Sequence, residues 1–201
     1  LAASFSSLTS PSLPGTVGVA FGHNNDVAWT LTNAMADVMD LIVERVEGDR
    51  YMFDGEWRDL VAFEEEIDVR GHDAVKLEAR ETHHGPIVNE ALRADESEPL
   101  ALAWMSRSQP AISRANTAVL DVRSGPELVD LMEAHATPVS SLVWADSQGS
   151  IGYKTVGRVP TRNGGSPDLP RCGWSGEDEW GDWIPYDEMP ELLWNFDVCI
   201  I

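Results

Sequence analysis

The stretch Phe21–Asp40, FGHNNDVAWTLTNAMADVMD, decides how this chain is read. Val19-Ala20-Phe21 ends an apolar run, Gly22–Asp26 (GHNND) is rich in turn formers, and Val27–Thr32 (VAWTLT) resumes a β-branched and aromatic pattern. Two such runs about a Gly/Asn/Asp cluster predict a β-hairpin, with a polar corner beginning at Asn33. Just past the corner Asp37 and Asp40 bracket Met39, which places two carboxylates and a main-chain carbonyl within one short segment. Oxygen clusters of that kind bind hard cations such as calcium.

Downstream, the pattern is a succession of short β signals. Leu41–Val46 predicts a strand, Asp54-Gly55 a tight hairpin turn, Phe63–Val69 an alternating strand with acidic residues on one face, and Gly71-His72-Asp73 a turn before Ala74–Ala79. Together they predict an antiparallel meander. His83 and His84 precede Gly85-Pro86. Neighbours in a strand point to opposite faces, so this pair is expected to pack rather than to share one metal ion. Leu100–Met105 predicts another strand. Ser124-Gly125-Pro126-Glu127 opens the clearest helix, Glu127–Ala136, with Pro126 in the first turn, Glu127 and Asp130 near the positive end of the dipole, and Leu128, Leu131 and Met132 on one face. Ser141–Ala145 and Ile151–Val156 flank Asp146–Gly149 as a further hairpin. Thr161–Gly176 reads as loop, and Asp187–Leu193 as a short helical turn. The serine-rich Leu1–Pro14 reads as loop or disorder.

Charge narrows the partners. Among 201 residues, 34 are acidic and 14 basic, a formal net charge of −20, and Lys76 and Lys154 are the only lysines. Such a surface repels nucleic acid and anionic membranes, so neither is an expected partner. Dense carboxylates with scarce lysine fit a protein that stays soluble in brine, where screening relieves the self-repulsion, and equally fit an ordinary acidic enzyme. Cys172 and Cys199 lie far apart and define neither a disulfide framework nor a zinc site. No apolar run has the length of a membrane span, and the compartment is left open.

Several segments in fixed order carry a resemblance: Phe21-Gly22-His23-Asn24, Ala28–Asn33, Asp37–Asp40, Thr82–Val88, Leu102-Ala103-Trp104, Trp144-Ala145-Asp146, Gly149–Tyr153, Gly157–Pro160 and Trp183–Pro190. Taken together they resemble the β-chain core of the penicillin acylase (penicillin amidase) family of N-terminal-nucleophile hydrolases. The likeness covers 13–194, with divergent segments at 1–12 and 195–201. It implies an α+β fold, the αββα core of those hydrolases, mostly antiparallel β with few helices and here a partial domain.

The resemblance also implies a chemistry. In the family an N-terminal serine attacks the amide carbonyl, its own α-amine acts as base, and an acyl-enzyme forms and is hydrolysed. No serine of this chain has that context, and the unrelated ending at Asn195–Ile201 stands where the family carries a later catalytic asparagine. The expectation is therefore an incomplete, inactive fragment. Asn33 falls where a backbone N–H forms half of the oxyanion hole. Phe21, Met35 and Ser140 fall at or beside acyl-pocket positions. Asp37, Met39 through its carbonyl, and Asp40 match structural calcium ligands. The expected partners are a small N-acyl amide substrate and, in a complete family enzyme, the α chain of the same precursor. Three functions compete: a penicillin-acylase-type amidase, an acyl-homoserine-lactone or other N-acyl amidase of the superfamily, and a non-catalytic, calcium-binding β-rich remnant.

Overall fold

Val27–Asn33 alternates inward and outward along its first residues, with Val27 and Trp29 buried and Ala28 and Thr30 exposed, which is the period of a half-buried strand. The computed structural model describes residue 19 and residues 21–93, 98–108, 115–164, 166 and 168–195. The Leu1–Pro14 loop, nearly all of the strand expected before Phe21, and the tail beyond Asn195 lie outside them. The chain divides into two compact units: residues 1–36, 105–159 and 183–201, and residues 37–104 and 160–182.

In the first unit Val27–Asn33 lies inside a five-stranded sheet, ordered Gly22–His23, Val27–Asn33, Ser140–Asp146, Ser150–Val156, Glu191–Asn195. Among the described residues its strands pair antiparallel throughout. The first hairpin turns on Asn24, whose Oδ1 accepts from the backbone N–H groups of Asp26 and Val27, both at 2.8 Å. Its amide donates to the Val122 carbonyl at 2.8 Å, which ties the turn to the segment before the helix. Asp146 organises the second hairpin in the same manner, its Oδ1 accepting from Gln148 and Ser150 N–H.

The helix Gly125–Met132 begins at Ser124, whose Oγ accepts from Glu127 N–H, while Glu127 accepts from Arg123 N–H. These bonds satisfy N–H groups that a helix start leaves without partners. Its buried Leu128, Val129 and Met132 share a core with Val27, Trp29, Leu142, Trp144 and Val156. Each such fully buried side chain contributes on the order of 1.5–3 kcal/mol. The Trp144 indole occupies the space that a Cβ would need at either Gly125 or Gly152. Those two glycines thus set how closely the helix start and the neighbouring strand approach one of the sheet's two buried indoles.

The helix is shorter than expected. After Met132 the backbone tightens into i→i+3 bonds from Glu133, Ala134 and His135 N–H to Asp130, Leu131 and Met132 carbonyls, a turn that carries the chain to Pro138. At the other end of the unit, Tyr186–Glu188 is a single 3₁₀ turn, and Glu191–Asn195, whose first residues were read as helical, is a strand paired with Ser150–Val156.

The second unit contains the meander. Arg50–Phe53 and Glu56–Asp59 pair about Asp54-Gly55, and Val61–Ile67 pairs with Val75–Glu81. The predicted strand Leu41–Val46 is interrupted: Met39–Val43 and Val46–Glu47 belong to different sheets, and Glu44 between them is buried. Met39–Val43 lies between Leu100–Trp104, antiparallel, and Arg171–Cys172, parallel, around a small core of Ile42, Ala101 and Ala103. Thr161–Gly176, expected as loop, holds that strand and the end of another, Pro160–Arg162. Among the described residues, no helix is long and apolar enough to cross a membrane.

Candidate functional site

Asn33 ends its strand directly opposite Ser140. The next residue, Ala34, donates its N–H to the Val139 carbonyl at 3.1 Å, so the sheet's pairing continues through the corner. Asn33 Oδ1 accepts from Met35 N–H at 2.8 Å, an Asx turn that spends the amide oxygen on the backbone. Met35 takes a left-handed conformation, φ 54°, with 83% of its surface exposed. A non-glycine residue in that region is held there by its surroundings, and here the Asx turn holds it.

Three of the four residues expected at the substrate site therefore meet at one end of the five-stranded sheet. Ser140 is buried and its Oγ donates to the Pro138 carbonyl at 3.0 Å, so its hydroxyl is committed to the local backbone rather than turned outward. Phe21 precedes the edge strand of the same sheet, with its ring partly exposed. Next to the corner, His135 Nε2 donates to the Pro138 carbonyl, 2.8 Å away, and burial pushes the His135 pKa below the ordinary value of 6.5 against the opposing effect of that bond.

The expected calcium ligands belong to the second unit, and their oxygens already face a cation. Asp40 Oδ2 accepts from Arg162 Nε at 2.8 Å and also from Trp180 Nε1. One Arg162 terminal nitrogen lies 3.0 Å from an Asp37 carboxylate oxygen and donates to the Asp37 carbonyl at 3.1 Å. The guanidinium fork matches this arrangement of oxygens, and it stands where an ion bound by both carboxylates would stand. With Arg162 in place the donor set does not fit a dication, whose charge would lie against the guanidinium. The Arg162 guanidinium is thus the cation that Asp37 and Asp40 face among the described residues, at the positions where the resemblance places calcium ligands with the Met39 carbonyl.

His83 and His84 also depart from expectation. They lie in a bend rather than a strand, closed by reciprocal backbone bonds between Thr82 and Gly85 at 3.0 and 3.2 Å, and their ring centroids are 3.7 Å apart. Alternation does not apply in a bend, and both rings fall on one side. His84 bridges two carboxylates, Nδ1 to Glu44 Oε1 at 2.8 Å and Nε2 to Glu179 Oε1 at 2.9 Å. Burial works against its charge, but Glu179 and Glu44 outweigh burial and lift the His84 pKa from 6.5 to about 9. The neighbouring His83 and His84 imidazoles hold Glu179 down, at about 2. Sequence reasoning singled out the histidine pair but not Glu44, Arg162 or Glu179. Glu44 was legible only as one residue of an apolar run, and Glu179 as one of several acids in Gly176–Trp180.

The comparisons with known proteins agree with one another. The family model described as penicillin amidase matches residues 11–195. Penicillin acylase 2 proenzyme of Pseudomonas sp. (strain SE83) is 32% identical over 189 residues, covering 92% of this chain and 24% of that protein. The acyl-homoserine lactone acylase QuiP of Pseudomonas aeruginosa is 30% identical over 204 residues, covering 91% of this chain and 24% of its own length. This chain thus spans about a quarter of the curated relatives it matches. Among solved structures, a thermostable penicillin G acylase from Alcaligenes faecalis superposes with a TM-score of 0.81 at 24% identity, covering 96% of this chain and 35% of the other. That likeness is one of fold.

Proposed function

Since the chain belongs to the penicillin amidase family, whose model covers 11–195, we propose that it forms part of an N-acyl amidohydrolase and carries one half of its oxyanion hole. The donor is the backbone N–H of Asn33. Catalysis of amide hydrolysis depends on a fixed donor aimed where charge develops on the carbonyl oxygen, and a donor on the rigid end of a strand needs no reorganisation. The observation that carries this reading is the corner itself. The strand end at Asn33 is held by its pairing with Ser140, and the Asx turn to Met35 fixes the peptide that follows.

Met35 and Phe21 stand in this proposal as walls of the acyl pocket, both offering apolar surface. Ser140 supports the floor through its bond to Pro138 and does not meet substrate with its hydroxyl. A covalent acyl-enzyme route needs a nucleophile beyond these residues, and no residue of this chain is assigned that role. Relatives are named for both penicillins and acyl-homoserine lactones, so the substrate class is an N-acyl amide, with the acyl group selected at Met35 and Phe21.

The test is a panel of N-acyl amides, including penicillin G and an N-acyl-homoserine lactone, assayed by release of the free amine on the complete amidohydrolase of which this segment forms part. Asn33→Pro, which deletes the N–H, should lower kcat about a hundredfold or more. Asn33→Ala keeps the N–H and should cost far less. Met35→Ala should shift the ranking of acyl groups rather than abolish turnover. Equal losses for Asn33→Pro and Asn33→Ala, with folding intact by circular dichroism, refute the backbone donor.

A further inference from the structure

The bend at 82–85 has the parts of a metal site that none of the preceding chemistry uses. Both histidines have Nδ1 occupied from behind: His84 Nδ1 by Glu44 Oε1 at 2.8 Å, and His83 Nδ1 by the Tyr51 hydroxyl at 3.2 Å. Glu44, Tyr51 and Thr82 are all more than nine-tenths buried, and Thr82 Oγ1 fixes Glu44 by donating to the same Oε1 at 2.6 Å. With Nδ1 held, each ring can turn only Nε2 outward, and both Nε2 atoms face one carboxylate. His84 Nε2 lies 2.9 Å from Glu179 Oε1, and His83 Nε2 lies 3.8 Å from Glu179 Oε2. One ligand atom from each of the three residues lies within 4.8 Å of the others.

We propose that His83, His84 and Glu179 bind a borderline transition-metal dication, zinc above all, through two Nε2 atoms and a carboxylate oxygen. Metal–ligand distances of about 2.0–2.2 Å in a tetrahedron require ligand atoms roughly 3.3 Å apart, so closure from the present spacing asks for movements of about an ångström at the half-exposed Glu179. The buried groups behind the rings are those that metal-bound histidines require. A carboxylate at Nδ1 fixes the tautomer and raises the basicity of the coordinating nitrogen, and a hydroxyl does so more weakly. Phe53 sets its ring edge against His83 at a centroid distance of 4.3 Å and so supplies an apolar wall. Two imidazoles and one carboxylate favour zinc, cobalt or nickel over calcium and magnesium, which take oxygen donors. The fourth position falls to water. Coordination would bind the 82–85 bend to the segment carrying Glu179 within the second unit, so the metal's first consequence is the stability of that unit.

The competing account is that the cluster is complete as it stands, a histidine ring held between two carboxylates with no place for a metal. The experiment separates them. The purified protein is stripped with a chelator, dialysed and titrated with zinc by calorimetry, with cobalt used in parallel as a visible-absorbing probe. The expected result is one zinc per chain at micromolar or tighter affinity, cobalt d–d bands of tetrahedral intensity, and a rise in Tm with zinc. His83→Gln and Glu179→Gln, both at partly exposed side chains, should each weaken binding about a hundredfold or more, and Tyr51→Phe about tenfold. His84→Ala leaves Glu44 buried and unpaired and is therefore not relied on. Binding that appears only in millimolar metal overturns the proposal, as does zinc binding of undiminished affinity in the folded His83→Gln and Glu179→Gln variants.

Discussion

Arg162→Met is the substitution with the best-defined consequence. The Asp40 side chain is 2% exposed and that of Arg162 15%, so methionine, close in volume but without charge, would leave a buried carboxylate with the Trp180 indole N–H as its remaining described donor. Breaking one partner out of a buried pair costs about 3–5 kcal/mol, because the abandoned charge keeps its desolvation penalty. For a chain of this size 1 kcal/mol moves Tm by about 2–4 °C, so the loss should be roughly 6–20 °C. The Asp37 arm is different: its side chain is 48% exposed, and Asp37→Ala should cost under about 1 kcal/mol. Asp40→Asn combined with Arg162→Met should recover a good part of the loss, since a neutral amide needs no cation and can still accept from Trp180. The assay is urea unfolding of the four variants, analysed as a double-mutant cycle. Calcium provides a further check. Millimolar calcium or a calcium chelator should leave the unaltered protein's Tm where it is, because the guanidinium holds the cation position. An Arg162→Met protein within 1 kcal/mol of the original, or a calcium-dependent Tm that Asp40→Asn abolishes, refutes the assignment of Arg162 as the internal cation.

Other outcomes follow from single contacts. Gly152→Ala drives a Cβ into the Trp144 indole and should cost about 1–3 kcal/mol by overpacking, with partial recovery in Gly152→Ala/Trp144→Phe, measured by denaturant unfolding. On the hairpin of Val61–Ile67 and Val75–Glu81, Glu64 lies directly opposite Glu78. Glu78→Lys should therefore stabilise by about 0.2–1 kcal/mol at low salt, and the gain should fade in molar KCl. If the acidic surface is tuned to brine, molar KCl should raise the Tm of the unaltered protein; a fall would count against it. Burial lowers the folded-state pKa of His135 below 6.5. Its contribution to stability is whole above pH 6.5 and lost as the pH drops through the lowered folded value, because the unfolded state takes up the proton first. His135→Gln should flatten that acid-side decline in a Tm-versus-pH series, and an unchanged slope would remove His135 as its cause.

The hairpins were legible because their turns are local. Asp54-Gly55, Gly71-His72-Asp73 and Asp146–Gly149 each encode a reversal in residues that tolerate positive φ or bond their own backbone, and the paired strands formed where the alternation placed them. The helix start was readable for the same reason, through Ser124 and Pro126. What local sequence did not reveal was whatever depends on residues far apart in the chain. Glu191–Asn195 carries no strand alternation of its own and becomes a strand because Ser150–Val156 offers it an edge. Asp37 and Asp40 form an anionic pair in sequence, but their cation lies more than a hundred residues on, at Arg162. His83 and His84 were judged by strand geometry, and the bend that unites them depends on Gly85, whose φ of 147° and close approach to the Leu102 carbonyl leave no room for a side chain. The corner at Asn33 was legible from residue type, as its Asx turn could have been, whereas the roles given to Asn33 and Met35 came through family resemblance.

The indole wedged against Gly125 and Gly152 has an optical consequence. Of the eight tryptophans, Trp29 and Trp144 are the two that lie fully buried, and they sit directly across from each other on neighbouring strands of the first unit. Their emission should be blue-shifted and resist acrylamide, whereas Trp57, Trp104 and Trp194, each at least two-fifths exposed, should emit to the red and quench freely. The shielded fraction of the fluorescence therefore reports the first unit, and the chain's own composition supplies a probe that can tell whether metal, salt or a distant substitution has loosened one unit while leaving the other folded.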